Sequence, residues 1–527
     1  MPKLIIDGRA VEVAPGTNLI EAARAAGVEV PYFCYHPHLS VVGQCRICMV
    51  EVEGQPRLAI ACATPVAEGM VVKSETSERV KEARAAVMEF LLANHPLDCP
   101  VCDQAGECLL QDHSFSDGTD FTHMVETRRT FKGYERRLIG PHIIQNQNRC
   151  IHCSRCIRFT QEISETAALT YKSRGNRAFI DTFDGRPFDD PFSGCAADVC
   201  PVGALTVREF RFRKRAWRLR STPSVCPGCS IGCNLFVDHH ERVVYRFSPR
   251  ENAAINATWL CDYGRFLAES LNEHAVRHPQ RRTGSGFDRI SWGEATSLLA
   301  SRIAAAQKVG VVASANLSNE ALYLARELFA GADIVVPVWP GEERRMKNAK
   351  REWLRSADAH PNAAGARRLG LATVDADGLA AFLARPFTTT VVLDPLAHPA
   401  LTGEAALAAL ARPGLVAFGR TAHPLLERAD LVLPVASLAC DAGTFTSSTG
   451  AVQRFDAGFT PPGEARPLWW SLIALARERG TAPFADLDDP AGVFALLAGR
   501  VEGFAGLEWA RLGESTEGTR REHQHVG

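Results

Sequence analysis

The distribution of cysteine constrains this chain more than any other feature of its sequence. The 527 residues include 17 cysteines, of which sixteen lie between Cys34 and Cys261 and the last is Cys440. A disulfide framework is typical of small secreted domains, but the N-terminus MPKLIIDGRAVEV lacks the basic start, apolar run and cleavage site of a signal peptide. We therefore expect reduced, intracellular thiols that serve metal binding or redox chemistry.

Charge and hydropathy exclude two classes of partner. Lys and Arg (59) nearly balance Asp and Glu (60), which argues against a nucleic-acid partner. No segment approaches the ~20 consecutive apolar residues of a membrane helix, so we expect the chain to contact a membrane only through partner subunits. The one marked basic run, residues 208–220, is interpreted as a solvated strand or linker, with a docking surface as the alternative.

The N-terminal pattern predicts a β-grasp domain. Leu4–Ile6 and Ala10–Val13 read as strands joined at Asp7-Gly8, a strong hairpin signal. A helix capped by Thr17 or Asn18 and closed by Gly27 follows. A second helix is predicted over Ser77–Asn94, directly before the next cysteines.

Beyond residue 275 the sequence pattern predicts Ala/Leu-rich helices that alternate with short apolar strands. This alternation indicates an α/β domain with a mainly parallel sheet. The predicted helices are Trp292–Ala306 and Glu320–Ala330, and the predicted strands are Val309–Val312, Ile334–Val338, Thr390–Leu393, Leu415–Phe418 and Leu431–Pro434. The chain is thus expected to be multidomain, with α+β and α/β parts. The expected domains are 1–77, 78–218, 219–274 and 275–527, the last with a polar tail.

The first cysteine group suits a [2Fe–2S] cluster on loops of the β-grasp domain. Its C-x10-C-x2-C-x13-C spacing is distinct from the plant-type spacing but also supplies four thiolates. Gly43, in the first gap, would let backbone approach the cluster. The candidate ligands are Cys34, Cys45, Cys48 and Cys62.

The other three groups suit [4Fe–4S] clusters. In HPLDCPVCDQAGEC three cysteines leave a four-ligand site one short, and the nearby histidine can complete it. The third group has the ferredoxin pattern C-x2-C-x2-C with a distant C-P, and the fourth is C-x2-C-x3-C with one distant cysteine. The candidate ligands are His95, Cys99, Cys102 and Cys108; Cys150, Cys153, Cys156 and Cys200; and Cys226, Cys229, Cys233 and Cys261.

These sets leave Cys195 and Cys440, which we expect to be packed, non-ligating thiols. Zinc also accepts four thiolates, or three thiolates and an imidazole, so a zinc-stapled scaffold is an alternative to iron–sulfur.

The other histidines near the cysteine groups are interpreted as loop residues or as neighbours of ligands: His36, His38, His113 and His152. Of these, His152 could tune the third cluster. No dinucleotide fingerprint, P-loop or serine elbow is found, which favours an electron carrier between partners.

The segments PYFCYHPHLSVVGQCRICMVEVEG, HPLDCPVCDQAGECLLQD, NRCIHCSRCIRF and CPVGALT resemble, in order and spacing, the large iron–sulfur subunits of respiratory complex I. The resemblance covers residues 1–270 densely. It implies one [2Fe–2S] and two [4Fe–4S] clusters on the first three ligand sets. It also implies a flavin (FMN) and NADH-binding partner, quinone-side iron–sulfur partners, and a peripheral position on the cytoplasmic side of the bacterial inner membrane.

The fourth group, CPGCSIGC with Cys261, resembles the cluster domain of molybdopterin oxidoreductases, and residues 275–510 resemble a shortened molybdopterin domain. Relatives that bind the cofactor commonly have a lysine two positions after the last cysteine, where this chain has Tyr263. We therefore expect no molybdopterin. An iron-only hydrogenase would need four further cysteines and is excluded; an NAD-linked formate dehydrogenase is kept as an alternative.

Overall fold

The computed structural model describes residues 1–183, 185–284, 286–348, 351–394, 399–410 and 413–514. They form two compact units, Met1–Arg218 and a second that begins at Leu219. None of the helices in these ranges is long and apolar enough to span a bilayer. The expected multidomain architecture, with α+β and α/β parts, is confirmed.

Among the described residues, the first unit contains ten strands and five α-helices. The strands are β1 (Lys3–Ile6), β2 (Arg9–Glu12), β3 (Met49–Val52), β4 (Ala59–Ile60), β5 (Val71–Lys73), β6 (Arg137–Leu138), β7 (Ile143–Gln145), β8 (Leu169–Lys172), β9 (Phe179–Thr182) and β10 (Leu205–Val207). The helices are α1 (Leu19–Ala25), α2 (Glu78–Leu92), α3 (Leu109–Asp117), α4 (Arg155–Arg158) and α5 (Ser193–Asp198).

The predicted β-grasp arrangement is confirmed at its N-terminal hairpin and helix. Asp7 and Gly8 both have positive φ (45° and 79°), as the tight turn between β1 and β2 requires. Asn18 caps α1, because its side chain accepts a hydrogen bond from the Glu21 backbone N–H at 3.0 Å. The five strands pair in the order β2-β1-β5-β3-β4, and β1 and β5 are parallel.

The remainder of the first unit consists of short elements separated by the loops that carry the second and third cysteine groups. The predicted helix over Ser77–Asn94 is α2, which Ser77 caps.

The basic run, residues 208–220, is only partly solvated. Arg215 donates hydrogen bonds to the carbonyls of Cys102 and Pro100, while Phe212 and Trp217 are about half exposed. Part of this run therefore supports the second cysteine loop.

The second unit contains fifteen strands and ten helices among the described residues. The strands are β11 (Arg220–Val225), β12 (Asn234–His240), β13 (Val243–Pro249), β14 (Gln280–Thr283), β15 (Gly286–Arg289), β16 (Val309–Ala313), β17 (Asp333–Pro337), β18 (Arg344–Asn348), β19 (Arg351–Arg355), β20 (Ala372–Val374), β21 (Thr389–Leu393), β22 (Leu415–Gly419), β23 (Leu431–Pro434), β24 (Gly443–Thr446) and β25 (Val452–Phe455). The helices are α6 (Asp262–Phe266), α7 (Trp292–Ala305), α8 (Asn319–Leu328), α9 (Ala363–Arg368), α10 (Ala376–Leu383), α11 (Pro399–Thr402), α12 (Glu404–Leu410), α13 (Leu468–Glu478), α14 (Pro490–Arg500) and α15 (Trp509–Glu514).

An eight-stranded sheet forms the centre of the second unit, in the order β15-β14-β23-β22-β21-β16-β17-β20. The six strands from β23 to β20 are parallel, which confirms the predicted mainly parallel sheet. Alternate residues point to different cores: Val311 and Val391 belong to one, Val312 and Val392 to the other. Strands buried on both faces explain the continuous apolar runs in the sequence. A separate antiparallel sheet, β11-β12-β13, adjoins the fourth cysteine group.

Candidate functional site

The thiols of the first group converge at one end of the β-grasp domain. The Cys34 N–H lies 3.4 Å from Cys45 Sγ, and the Cys45 N–H lies 3.5 Å from Cys34 Sγ. The Cys34 thiol also contacts Cys62, which in turn contacts Cys48. Hydrogen bonds from Cys45 and Cys62 lower the pKa of Cys34, while hydrogen bonds with Cys34 and Cys48 raise the pKa of Cys62. All four predicted residues of this group are therefore neighbours.

Gly43 has a backbone conformation that favours glycine. Its φ is +57°, which residues other than glycine rarely adopt. Among protein atoms, a Cβ at this position would meet only Ile60, at 3.9 Å. The approach of this backbone to a cluster stays a prediction.

The second group occupies a loop between α2 and α3. His95 follows the end of α2, with its N–H donating to the Leu92 carbonyl at 3.1 Å, and Cys99 begins a single exposed 3₁₀ turn. Burial, aided by the charge of Arg149, lowers the pKa of His95 to about 4. The imidazole is therefore neutral near pH 7, which is the form that binds a metal. Cys102 and Cys108 are buried, and burial raises the pKa of Cys108 to about 12.

A glycine from a distant segment lies against this loop. A Cβ on Gly203 would lie 2.2 Å from Cys102 Sγ, a distance that real Cβ atoms do not show. Gly203 belongs to the CPVGALT segment that begins at Cys200, so one stretch of chain contributes to the surroundings of both the second and the third groups.

The third group surrounds a cavity. Its lining includes all four predicted cysteines, and most of the other lining residues are apolar. These cysteines are Cys150, Cys153, Cys156 and Cys200, with Ile151, Ile180, Val202, Ala204 and Leu205 among their neighbours. The chain turns sharply between the close cysteines, because His152 and Ser154 both have positive φ (57° and 60°). Burial raises the pKa of Cys150, and raises that of Cys200 to about 11.

The fourth group lies at the ends of β11 and β12 and at the start of α6. The Cys226 N–H donates to the Cys233 carbonyl at 2.8 Å, and Cys261 Sγ accepts from the Gly264 N–H at 3.4 Å. A Cβ on Gly264 would lie 2.7 Å from Cys226 Sγ, so glycine is required here as it is at position 203. Burial raises the pKa of Cys261 to about 11.

A cation from β19 adjoins the fourth group. The Arg355 guanidinium lies 3.7 Å from the ring centroid of Tyr263, and its charge opposes the rise in the pKa of Cys229 and Cys261. The Ser356 N–H donates to Cys229. Sequence reasoning identified Tyr263 but missed Arg355, because no local motif marks a residue 92 positions further along the chain.

The donor chemistry of the four groups suits a metal centre. Burial raises the pKa of most of these thiols, so without a bound metal they would stay protonated near pH 7. A thiolate becomes the stable form when a metal supplies positive charge. Among the described residues, no three or more His, Cys, Asp or Glu side chains are arranged to hold a single metal ion.

Cys195 and Cys440 are the two cysteines outside the four groups. Both are buried, with 0% and 3% of their surface exposed.

Family models match five segments of the chain. Residues 3–77 match a 2Fe-2S iron-sulfur cluster binding domain, and 84–120 match the NADH-ubiquinone oxidoreductase-G iron-sulfur binding region. Residues 140–206 match the ferredoxin-like domain of NADH-quinone oxidoreductase subunit 3. A molybdopterin oxidoreductase Fe4S4 domain matches 219–273, and a molybdopterin oxidoreductase model matches 409–478.

Curated relatives are subunits of the NADH oxidoreductase that two of these models name. The G subunit of NADH-quinone oxidoreductase from Rickettsia typhi is 38% identical over 330 residues, 62% of this chain and 48% of the relative. Over these residues the chain is homologous to this subunit. The mitochondrial NADH-ubiquinone oxidoreductase 78 kDa subunit of Candida albicans is 42% identical over 301 residues, 56% of this chain and 41% of the relative. The chain thus spans about half the length of the curated relatives it matches.

Two solved structures are similar to parts of the chain. An NAD+-reducing [NiFe]-hydrogenase in the H2-reduced state has 30% identity and a TM-score of 0.35, covering 40% of this chain and 90% of its own. Acetylene hydratase from Pelobacter acetylenicus has 12% identity and a TM-score of 0.38, covering 56% of this chain and 74% of its own.

Proposed function

We propose that this chain is the iron–sulfur electron-transfer subunit of a proton-translocating NADH:quinone oxidoreductase. The observation that carries the proposal is the succession of four cysteine groups that coincide with the cluster-domain matches along residues 3–273. The chain would conduct electrons from a flavin and NADH-binding partner towards quinone-side partners. It would lie on the cytoplasmic side of the inner membrane, attached through those partners.

The ligand assignment forms part of the same proposal. Cys34, Cys45, Cys48 and Cys62 would hold a [2Fe–2S] cluster, and the three sets that contain His95, Cys150 and Cys226 would each hold a [4Fe–4S] cluster. When bound, such clusters supply one-electron transfer at potentials that ligand type, hydrogen bonds and burial set. The chain's residues supply thiolates, N–H donors such as those of His152 and Gly264, and an apolar lining that excludes water.

Metal analysis of the purified chain tests this proposal directly. One [2Fe–2S] and three [4Fe–4S] clusters correspond to about fourteen irons per chain, with an equal amount of acid-labile sulfide. Zinc and molybdenum should be measured in the same sample. Stoichiometric zinc without sulfide would instead indicate a zinc-stapled scaffold, and stoichiometric molybdenum would indicate the formate dehydrogenase alternative.

Replacing His95 with Cys should make the potential of the second cluster more negative. A thiolate would take the place of a neutral imidazole, and the added negative charge disfavours the reduced state. A redox titration followed by electron paramagnetic resonance would measure the change. The matched control is His123→Cys, which changes an exposed histidine of the same unit and should leave every potential unaltered. A His95→Cys protein with the wild-type potential would remove His95 from the ligand set.

A further inference from the structure

Two buried arginines lie between the first and third cysteine groups. Arg155 and Arg158 belong to α4, which also carries Cys156, and each is 5% exposed. Arg158 Nη2 donates to the Cys34 carbonyl at 2.5 Å and to the Cys153 carbonyl at 3.3 Å. One guanidinium therefore bridges the backbone of a first-group cysteine and that of a third-group cysteine.

The second arginine makes a parallel connection. Arg155 donates to the carbonyl of Tyr35, the residue after Cys34, and to the carbonyl of Val199, the residue before Cys200. Gln44 adds a further link, since its side-chain amide donates to the His152 carbonyl at 2.7 Å. The loops of the two groups are thus joined at three places, each by a side chain donating to a main-chain oxygen.

Among the described residues, neither arginine forms an ion pair with a carboxylate. Within the described part of the chain, the hydrogen bonds of Arg155 end on carbonyl oxygens, and those of Arg158 end on carbonyl oxygens and the Ser154 hydroxyl. Burying an unpaired charge is unfavourable. Cys153, Cys200 and Cys45 lie near Arg155, as does the ring of Tyr32, whose centroid is 5.6 Å from the guanidinium. As metal-bound thiolates, ligands of both groups would supply the negative charge that Arg155 faces.

The neighbouring histidine does not add to the positive charge. Burial and the charges of Arg155 and Arg158 hold the pKa of His36 well below its usual range, so its imidazole is neutral near pH 7. In the other direction, Arg155 and Arg158 both oppose the rise that burial causes in the pKa of Cys153. Arg155 and Arg158 therefore supply positive charge between the first and third cysteine groups near pH 7, while His36 does not.

We propose that Arg155 and Arg158 are positioning residues that hold the first and third clusters together and stabilise the reduced state of both. The proposal rests on the cluster sites of the proposed function. Uptake of one electron at either site adds one negative charge and requires no bond change and no proton. A buried cation close to both sites favours that charge, and its effect is large because the surroundings exclude water.

The test is a redox titration with dithionite as the electron source, followed by electron paramagnetic resonance, on the intact chain. Arg158→Gln removes the charge, and we expect the reduction equilibrium of both the first and third clusters to become at least tenfold less favourable, or about 59 mV for a one-electron couple. The second and fourth clusters should keep their potentials and serve as internal references. Arg158→Lys keeps the charge and should return both potentials towards the wild-type values.

Arg420→Gln is the matched control. Arg420 is also buried (6% exposed) and donates to carbonyls, those of Ser270 and Glu273, but the charges acting on it come from Asp394, Glu273 and Cys440. Its loss should lower stability without changing any cluster potential. If Arg158→Gln fails to load clusters, loading itself becomes the readout: retention in Arg158→Lys supports the charge requirement, and loss in both variants overturns it.

The two proposals fail in different ways. Wild-type protein without iron–sulfur signals would overturn the proposed function. Wild-type signals together with unchanged first and third potentials in Arg158→Gln would overturn the inference alone.

Discussion

Gly203→Ala should remove the second cluster, about four of fourteen irons per chain, and leave the first and fourth clusters intact. A Cβ at this position would lie 2.2 Å from Cys102 Sγ, so either the ligand or the CPVGALT segment must move. Gly203 is not among the glycines with positive φ, which makes the sulfur contact, and not backbone strain, the cause. Iron and sulfide analysis, with electron paramagnetic resonance to identify the missing signal, would measure the loss.

Two further glycine variants define the specificity of that effect. Gly264→Ala would place a Cβ 2.7 Å from Cys226 Sγ and should remove the fourth cluster instead of the second. Gly286→Ala, at a position with nothing within 4 Å of the added Cβ, should keep all the iron. Full iron content in Gly203→Ala would show that Cys102 does not hold a cluster in this geometry.

Glu320→Gln should raise the stability of the second unit by about 3 kcal/mol at pH 8 and make it less dependent on pH. Glu320 is fully buried on α8, and burial raises its pKa from 4.5 to about 7, although hydrogen bonds from Thr444 oppose the rise. Each pKa unit corresponds to about 1.4 kcal/mol. An isosteric amide can keep hydrogen bonds to Thr444 without carrying a charge into the core.

The direction of the pH effect follows from proton binding. Between the unfolded pKa near 4.5 and the folded pKa near 7, the folded protein binds more protons than the unfolded chain, so its stability falls as the pH rises through this window. Urea unfolding of wild type and Glu320→Gln at pH 6, 7 and 8 would measure the difference. Asp441, whose pKa burial also raises to about 7, should leave a residual slope in the variant. Equal slopes in the two proteins would contradict the prediction.

The sequence by itself determined the longer helices, the parallel strands and the spacing of the cysteines. Asp7-Gly8 predicted the first hairpin because only a few residue types tolerate positive φ, and Ser77 marked the start of α2 because its side chain satisfies a free helix N–H. The apolar runs predicted the parallel strands because those strands are buried on both faces. These signals are local, so spacing alone carries them.

Sequence reasoning did not find β20 or the antiparallel pair β14 and β15, since short strands with mixed polarity have no strong period. It also placed the whole basic run outside the core, although Arg215 supports the Cys102 loop. The alternation of arginine and aromatic residues in this short segment does not reveal which side chains fold back onto a neighbouring loop.

Only the tertiary structure decided which residues surround the cysteines. Arg158 meets the Cys34 carbonyl across 124 positions, and Thr444 donates to Glu320 across another 124. Gly203 and Gly264 show their importance only through the sulfur atoms beside them. Every residue has a main-chain carbonyl, so a side chain that contacts one leaves no pattern in the sequence. The space beside a sulfur atom likewise depends on how distant segments fold together. The sequence therefore specified the candidate ligands, while folding specified the charges and spaces that surround them.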